Sequence, residues 1–373
     1  MADLFFYGTL RHGPLLEIVL GRESDALDIR AASLAGHGVH WARDEVFPLI
    51  LPSRGETTSG ILVRGLDDED LARLSFYEGG FGYRSETVQL TLENGESASG
   101  EVFFPDPGLW QAGLPWALED WAARWGAVTC RAAQEVMGYY GRVCQDQIAE
   151  RFSSIRRRAW SWVRAQARPE DPAREIARDV AVETHRFAHL SFFGMEEADL
   201  RFRRHDGTMS PALNRSAQMV GQAAVVLPYD PVRDAVLLVE QFRAPVFLAG
   251  DPAPWVWEPV AGLVDLGETP EQTARREAVE EAGLEVRRLE KAGEAYSSTG
   301  SSGEYLHLFV GIADLTRTTE SGGLDEEGED IRSAIVSFDA LMAGLDGHRY
   351  RDMPLLVTAH WLARHRDRLR AEG

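Results

Sequence analysis

Cysteine and long apolar runs are scarce in this chain of 373 residues, and each scarcity excludes a class of protein. Cys130 and Cys144 are its two cysteines. If one helix carries both, they lie roughly 21 Å apart at ~1.5 Å per residue, which is too far for a disulfide. No segment approaches the ~18–20 apolar residues of a membrane-spanning helix, and the N-terminus lacks the features of a signal peptide. We therefore expect a cytoplasmic protein with no membrane partner.

Positive charge is scarce as well, with 39 Lys and Arg against 59 Asp and Glu and a formal net charge of −20. This balance argues against affinity for nucleic-acid backbone or anionic membranes. A local basic pocket for one small phosphate compound stays open. With 44% hydrophobic and 26% charged residues, the chain has the composition of a globular protein, and its length favours two domains or slightly more.

The chain changes character twice along its length. Residues 1–107 are rich in strand signals, including the hairpin pattern "SETVQLTLENGESASGEVFF". Residues 108–183 carry aromatic and aliphatic side chains at helical intervals, and packing explains this stripe better than a ligand site. Residues 184–373 return to strands and close with an amphipathic helix. We predict an α/β multidomain protein with a first domain, a helical connector and a second domain at these bounds.

The segment "GETPEQTARREAVEEAGLEV" predicts a helix over residues 270–282. Thr269 is a suitable N-cap and Pro270 suits the first helical position. Gln272 completes a capping box, and Gly283 supplies the C-terminal stop.

On this helix, Glu277, Glu280 and Glu281 crowd onto one side. Like charges at such spacings destabilise a helix by about 0.2–0.5 kcal/mol per pair. A hard cation such as Mg²⁺ would turn the repulsion into attraction, since it prefers carboxylate oxygens, waters and substrate phosphates. The alternative is a solvated helix whose glutamates pair with Arg275 and Arg276.

The spacing of the whole segment separates these alternatives. Gly262, five residues, Glu268, seven residues and then "REAVEEAGL" from Arg276 match the Nudix signature G-x5-E-x7-R-E-U-x-E-E-x-G-U at every fixed position. With "AAVVLPYDPVRDAVLLVEQFR", "WEPVAGLVDLGE" and "SSTGSSGEYLHLFVG", the chain resembles the ADP-ribose pyrophosphatase branch of the Nudix family over about residues 190–370. The resemblance implies a Nudix α/β/α sandwich and a homodimer in which N-terminal strands help build the partner's site.

The same resemblance implies a metal site. Glu277 and Glu281 would be the main Mg²⁺ ligands, with Glu280 as a further ligand and the backbone carbonyl of Ala261 completing the set; Mn²⁺ is a possible substitute. Arg276 would orient the carboxylates, because a guanidinium suits a charge-assisted fork. Glu281 and Arg276 are therefore expected among the catalytic residues.

It also implies substrate contacts and a base. Arg243, after the "VEQF" strand, would hold substrate phosphate, and Glu304 would contact a ribose. A carboxylate of the acidic loop "DEEGEDI" would remove a proton from the attacking water, with Glu327 as first choice and Glu329 as second.

The implied reaction is Mg²⁺-dependent hydrolysis of ADP-ribose to AMP and ribose 5-phosphate. Where the branch commonly has Ser-Pro-Gly, this chain has Ser298-Thr299-Gly300, so a nucleotide sugar or another nucleoside diphosphate derivative stays open as the substrate. A sensor that binds ADP-ribose without cleavage is a further alternative. The intact signature and the acidic chain count against it, because such a sensor would carry a basic DNA-reading helix.

Two features of the first domain suggest a second site. Tyr7-Gly8-Thr9-Leu10 follows a short apolar strand, and the N–H groups of such a turn can cradle an anion. Glu78 follows aromatic residues and precedes a glycine-rich turn, so its pKa could be raised for acid–base work. The alternative for Glu78 is a plain glutamate at a rim.

Together these pieces resemble the gamma-glutamylcyclotransferase-like (AIG2-like) family over about residues 3–106. The resemblance implies a small β-barrel with helices. Glu78 would shuttle the proton while a γ-glutamyl amine closes into 5-oxoproline, and the glutamyl part would be held by Tyr7, Gly8, Thr9 and Leu10. Because that family includes members without established activity, a binding or scaffold role stays open.

Overall fold

The computed structural model describes residues 1–79, 82–318, 321–323 and 330–372. The chain divides into two compact units, Met1–Ser216 and Ala217–Gly373. The domain bounds drawn from the sequence, at residues 107 and 183, stay predictions.

A closed barrel dominates the N-terminal unit. Five strands follow the order β3-β1-β5-β4-β2, and β2 pairs with β3 to close the barrel, while β6 extends the β2 edge. The elements are β1 Ala2–Phe6, α1 Gly13–Leu20, β2 Asp28–Ala42, β3 Pro48–Leu66, α2 Asp68–Glu78, β4 Tyr83–Leu92, β5 Ser97–Pro105 and β6 Ala112–Pro115. The predicted small β-barrel with helices is confirmed.

The alternation of side chains along β1 decides what faces the barrel interior. Phe5 and Tyr7 belong to the apolar cluster inside the barrel, whereas Leu4 and Phe6 belong to the cluster that packs on the helices. Successive strand residues point to opposite faces, so the sequence "LFFYG" supplies both cores at once. Tyr7 is thereby fixed inside the barrel.

Helices and a small sheet complete this unit. They are α3 Leu118–Trp121, α4 Ala127–Gly138, α5 Gln145–Gln166 and α6 Ile176–Asp179, and the strands β7 Val180–His189 and β8 Gly194–Phe202. The third strand of the small sheet, β9 Leu213–Met219, pairs with β8 in the order β7-β8-β9 and runs across the unit boundary at Ser216. Trp121 is fully buried and its indole donates to the Val46 carbonyl at 2.9 Å. The aromatic stripe of the sequence is thus anchored by packing.

Buried ion pairs join these helices to one another and to the small sheet. Arg158 on α5 donates to Glu135 on α4 and to the Phe192 carbonyl at 3.1 Å. Arg131 donates to Glu196 on β8 at 2.6 Å. Breaking one partner of such a pair costs several kcal/mol, about 3–5, because a buried charge is left uncompensated.

The C-terminal unit is a sheet between helices. Its path runs β14-β15-β10-β11-β17-β16, with β12 on β11 and β13 on β10. The elements are β10 Gln222–Asp230, β11 Ala235–Phe242, α7 Ala244–Leu248, β12 Trp255–Glu258, β13 Val260–Leu263, α8 Pro270–Ala282, β14 Arg288–Tyr296, β15 Tyr305–Ile312, β16 Ser321–Gly322, β17 Ile331–Ser337, α9 Phe338–Asp346 and α10 Met353–Glu372.

Alternate residues of β11 face opposite helical layers. Leu237 and Val239 pack in one cluster with alanines of α8, while Val236 and Leu238 pack in another with leucines of α9 and α10. The predicted α/β/α sandwich is confirmed. Across the part of the chain that the structure describes, no helix is both long and apolar enough to span a membrane.

The topology also gathers several chain segments at one edge of the sheet. β10 and β15 run parallel and begin there with Gln222 and Tyr305, whereas the antiparallel β11 ends there at Phe242. Charged residues just beyond these strand ends can therefore approach one another.

Candidate functional site

The helix α8 begins and ends where its sequence predicts. The Thr269 backbone N–H donates to the Gln272 side chain at 2.8 Å, the Gln272 N–H donates to the Thr269 hydroxyl at 3.3 Å, and Gly283 takes a left-handed φ of 62°. Both ends are satisfied locally, so the helix holds its glutamates in a fixed register. The prediction of a helix over 270–282 is confirmed.

Small residues bring α8 close to the sheet. Ala274, Ala278 and Ala282 are fully buried on the face of α8 that packs against the sheet. On the sheet side, a Cβ atom at Gly262 would overlap the Glu277 carboxylate. Because glycine has no side chain, the carboxylate can lie directly against the backbone of β13.

Glu281 lies deeper in the same place. It is 2% exposed, and its Oε2 accepts from the backbone N–H of Ala261 at 3.4 Å. A buried carboxylate is costly unless hydrogen bonds or cations compensate its charge. The structure thus brings Glu281 to Ala261 and Glu277 to the adjacent Gly262, and their assignment as metal ligands stays a prediction.

The guanidinium of Arg276 lies among the carboxylates of Glu268, Glu277 and Glu280 and offsets part of their negative charge. Its Nη1 donates to Glu277 at 2.7 Å and to Glu280 at 2.8 Å, and its Nε donates to Glu268 at 3.0 Å. Burial lowers the pKa of Arg276, but the hydrogen bond to Glu268 and the charge of Glu277 outweigh it and raise that pKa. Arg276 thus contacts three of the carboxylates near which it was predicted to lie, and its role in orienting them stays a prediction.

The donor set fits a hard cation in its chemistry. Glu277, Glu281 and the Ala261 carbonyl offer oxygen atoms of the kind that Mg²⁺ prefers, and the space left by Gly262 accommodates the Glu277 carboxylate at the backbone. Within the described ranges, no three His, Cys, Asp or Glu side chains are already clustered as a metal site. Arg276 bridges Glu277 and Glu280 in this arrangement, so a cation would have to compete with it.

A second arginine lies at the end of β11. Arg243 donates through Nε and Nη2 to Glu258, with distances of 2.9 and 2.6 Å to Oε2. Burial lowers the pKa of Arg243, while the hydrogen bond to Glu258 and the charges of Glu281 and Asp352 raise it overall. The field of Glu281 reaches Arg243, which connects the carboxylates of α8 with the predicted phosphate-binding residue.

The remaining predicted residues of this unit divide into two groups. Glu304 lies just before β15, with its N–H donating to the Ser302 hydroxyl at 3.1 Å, and its charge acts on the Asp352 carboxyl. Glu327 and Glu329 lie outside the described residues.

Glu258 and Asp352 were not predicted. A glutamate inside the apolar run "WVWEPVAGL" was the available signal for Glu258, whereas Asp352 has no sequence signal beyond that of a helix N-cap.

The N-terminal unit places Glu78 at the end of α2, among tyrosines. Burial raises the pKa of Glu78 to about 7. Burial also raises the pKa values of Tyr7, Tyr77 and Tyr83, and the charge on Glu78 adds to all three shifts. Such a carboxyl can hold or release a proton near neutrality. Tyr83 was missed, although it follows the glycine-rich turn of the motif.

The predicted anion turn is only partly available to a ligand. The Tyr7 hydroxyl donates to the Phe103 carbonyl at 3.1 Å, and a Cβ at Gly8 would lie 3.1 Å from Pro48. Thr9 opens a short helical turn, and the Leu10 side chain is buried in the core. Leu10 can therefore offer a ligand its backbone but not its side chain.

The contact at Gly262 yields a prediction about cation binding. We expect Gly262→Ala to weaken Mn²⁺ binding by at least about tenfold, because the methyl group displaces the Glu277 carboxylate. The Glu277 side chain can swing away, so the change in melting temperature should be small. Mn²⁺ titration followed by electron paramagnetic resonance measures the affinity. Gly293→Ala, where an added Cβ has no neighbour within 4 Å, is the matched control. Unchanged Mn²⁺ affinity in Gly262→Ala would contradict the assignment.

The raised pKa of Glu78 yields a prediction about pH and stability. Because the pKa of Glu78 is raised from its ordinary 4.5 to about 7 in the folded state, the folded protein loses stability as the pH rises from about 4.5 to 7, and the loss levels off above pH 7. We expect Glu78→Gln to be more stable than the wild type by about 1–3 kcal/mol at pH 8 and nearly equal at pH 4.

Denaturant unfolding at both pH values measures this difference. Asp68→Asn, which changes an exposed carboxyl on the same helix, should stay within about 0.5 kcal/mol of the wild type. A stability difference for Glu78→Gln that does not depend on pH would show that the carboxyl titrates normally.

Known proteins resemble both parts of the chain. A family model described as "NUDIX domain" matches residues 219–355, and one described as "Gamma-glutamyl cyclotransferase, AIG2-like" matches residues 4–123. The ADP-ribose pyrophosphatase of Escherichia coli is 35% identical over 194 residues, covering 52% of this chain and 92% of that protein. The Haemophilus influenzae ADP-ribose pyrophosphatase is 34% identical over 161 residues, covering 43% and 74%. The GDP-mannose pyrophosphatase of Pectobacterium atrosepticum is 36% identical over 145 residues, covering 39% and 74%. The chain therefore belongs to the Nudix family through its C-terminal part and carries an AIG2-like gamma-glutamyl cyclotransferase domain at its N-terminus.

Proposed function

We propose that the chain is a Mg²⁺-dependent Nudix pyrophosphatase that hydrolyses ADP-ribose to AMP and ribose 5-phosphate. The observation that carries the proposal is the placement of Glu277 and Glu281 at the backbone of Gly262 and Ala261, with Arg243 within the electrostatic reach of Glu281. Two relatives named ADP-ribose pyrophosphatase support the choice of substrate.

Each residue has a distinct task in this proposal. Glu277, Glu281 and the Ala261 carbonyl would hold Mg²⁺, or Mn²⁺ in its place, with Glu280 as a further oxygen donor. Bound Mg²⁺ neutralises diphosphate charge and lowers the pKa of a coordinated water. Arg276 keeps the carboxylates aligned while no cation is bound and reduces their mutual repulsion.

The proposed substrate contacts come from residues just after β11 and just before β15. Arg243 is held in a forked pair with Glu258, which fixes its guanidinium and leaves its remaining donors for a phosphate. Glu304, at the start of β15, would contact a ribose hydroxyl. Glu327 would take the proton from the attacking water, with Glu329 as the second choice.

Nucleotide sugars are the alternative to ADP-ribose as the substrate. The GDP-mannose pyrophosphatase relative and the sequence Ser298-Thr299-Gly300 both favour testing nucleotide sugars beside ADP-ribose. A panel of ADP-ribose, GDP-mannose, NADH and diadenosine compounds with Mg²⁺ and product identification decides between them. A sensor would bind ADP-ribose and release no AMP.

The assembly and the location stay predictions from the sequence. A homodimer whose N-terminal strands complete the partner's site is expected from the Nudix resemblance. A small nucleoside diphosphate is the expected partner, with neither nucleic acid nor membrane, in the cytoplasm. Sedimentation of the full chain with and without ADP-ribose tests the dimer.

The metal assignment predicts a large loss of activity on removing one carboxylate. Glu281→Gln should lower kcat for ADP-ribose by about 10²–10⁴-fold, because a bound metal contributes several kcal/mol of transition-state stabilisation. The control is Glu271→Gln, which changes an exposed glutamate on the same helix. Full activity of Glu281→Gln at saturating Mg²⁺ would exclude Glu281 from the site.

A second activity is proposed for the N-terminal domain. The α-amino nitrogen of a γ-glutamyl amine would attack its own γ-carbonyl, forming the ring of 5-oxoproline and releasing the amine. Glu78 would take a proton from the attacking nitrogen and return it to the leaving nitrogen. The pKa of about 7 at Glu78 is the observation that favours this activity over a scaffold role.

This second proposal predicts that 5-oxoproline release depends on Glu78. Glu78→Gln should lower the rate by about 10²–10⁴-fold, the usual contribution of a positioned acid–base group. Asp68→Asn serves again as the control, and ADP-ribose hydrolysis of both variants shows whether the rest of the chain is intact. Release of 5-oxoproline by neither the wild type nor the variants would favour the binding or scaffold role.

A further inference from the structure

A cavity that the proposed Nudix site does not use lies on the other face of the C-terminal sheet. Leu238 of β11 is opposite Ala334 of β17 in the strand register, and Val236 is opposite Val336. Leu238, Ala334 and Val336 line the cavity, which has an empty volume of about 350 Å³ that is partly open to solvent. Leu238 packs in the cluster of α9 and α10, whereas α8 packs on the opposite face. The α8 glutamates therefore lie across the sheet from the cavity.

Small residues create this cavity. Ala340 and Gly344 lie one turn apart on α9 and therefore on the same side of that helix. The Tyr350 ring packs against Gly344, where an added Cβ would lie 2.5 Å from the ring. Ala334 and Ala340 line the cavity together with Tyr350. Because neither alanine reaches far from the backbone, the space between them stays unfilled.

Trp257 of β12 also lines the cavity, beside two charges that compensate each other. Glu240 of β11 is opposite Trp257 in one neighbouring strand and opposite Arg332 in the other. The Arg332 guanidinium lies 5.1 Å from the centre of the Trp257 ring and donates to Glu240 at 2.6 Å. The charge of Arg332 is therefore already engaged by a carboxylate.

Arg349 lines the cavity and brings a positive charge to it. Its backbone N–H donates to the Gly344 carbonyl at 2.9 Å, in a turn where His348 takes a left-handed φ of 56°. The turn fixes Arg349 beside Tyr350, with the guanidinium 5.8 Å from the ring centre. Within the part of the chain that the structure describes, no carboxylate or other acceptor pairs with this guanidinium. Arg349 thus offers unused donors next to an apolar cavity.

This combination selects one class of small molecule. A guanidinium binds a carboxylate through two parallel N–H···O bonds, which are stronger than bonds between neutral groups. The aromatic and aliphatic lining favours an apolar ring, because burial of apolar surface is favourable and flat rings pack well on aromatic side chains. One unpaired guanidinium matches one negative charge, and Glu240 nearby disfavours a more highly charged anion.

We propose that this cavity binds a small carboxylate with an apolar aromatic body. Its carboxylate would pair with Arg349, and its ring would lie among Leu238, Trp257 and Ala334. The residues that line the cavity are separate from those of the proposed hydrolase site, so the inference does not depend on that function.

Calorimetric titration of the full chain with three related compounds tests the proposal. Phenylacetate carries a carboxylate, phenylacetamide is its neutral analogue and phenethylamine is a cation of similar size. We expect phenylacetate to bind with a Kd of about 1 mM or tighter. Phenylacetamide should bind at least about tenfold more weakly, because it lacks the charge-assisted bonds, and phenethylamine should bind most weakly.

Variants of the lining locate the bound compound. Arg349→Gln should weaken phenylacetate binding at least about tenfold and leave phenylacetamide binding unchanged. Ala340→Leu should abolish binding of both by filling the cavity. Arg364→Gln, which changes an exposed arginine of α10 outside the lining, is the matched control and should bind as the wild type does. Since Arg349→Gln changes an exposed side chain, it tests the proposal even if the leucine variant unfolds.

Binding to the proposed phosphate residue would be a different result. Arg243→Gln should keep the wild-type affinity for phenylacetate, because Arg243 does not line this cavity. Loss of binding in Arg243→Gln with retention in Arg349→Gln would overturn the inference. Equal affinity for phenylacetate and phenethylamine would overturn it as well, and so would the absence of phenylacetate binding at about 10 mM.

Discussion

The C-terminal unit depends on carboxylates that are held together despite their mutual repulsion. Arg276 makes this possible in the absence of a cation, because one guanidinium donates to Glu268, Glu277 and Glu280. The three buried alanines of α8 and the missing side chain of Gly262 then set how closely these groups approach the sheet. The same residues that create the unfavourable charge also form the proposed site for a divalent cation, so helix packing and the proposed chemistry share one segment.

Both units use burial to adjust carboxyl groups, but in two different ways. Glu281 is almost fully enclosed, with the Ala261 N–H beside it and the guanidinium of Arg243 within its electrostatic reach. Glu78 and Asp352 lie where burial outweighs compensation, so the pKa of each is raised to about 7. Compensated carboxylates suit a cation site, whereas uncompensated ones suit proton exchange near neutrality. This difference in surroundings separates the task proposed for the glutamates of α8 from that proposed for Glu78.

Features that depend on neighbouring residues along the chain could be predicted from the sequence. The bounds of α8 could be predicted because Thr269, Gln272 and Gly283 act within a few residues of the helix ends. The approach of Ala261 to the α8 glutamates could be predicted only through the family pattern. Tyr83 and Asp352 could not be identified, because their surroundings form only when the barrel and the sheet edge bring distant segments together. Such long-range contacts leave no periodicity or spacing in the chain.

A crystal structure of the full chain with Mn²⁺ and α,β-methylene ADP-ribose would decide whether the α8 glutamates form the metal site. We expect anomalous density for Mn²⁺ within bonding distance of Glu277, Glu281 and the Ala261 carbonyl. We also expect Arg276 to give up its contact with Glu277 and Arg243 to contact the diphosphate. Mn²⁺ bound elsewhere, with Arg276 still bridging Glu277 and Glu280, would exclude this metal site.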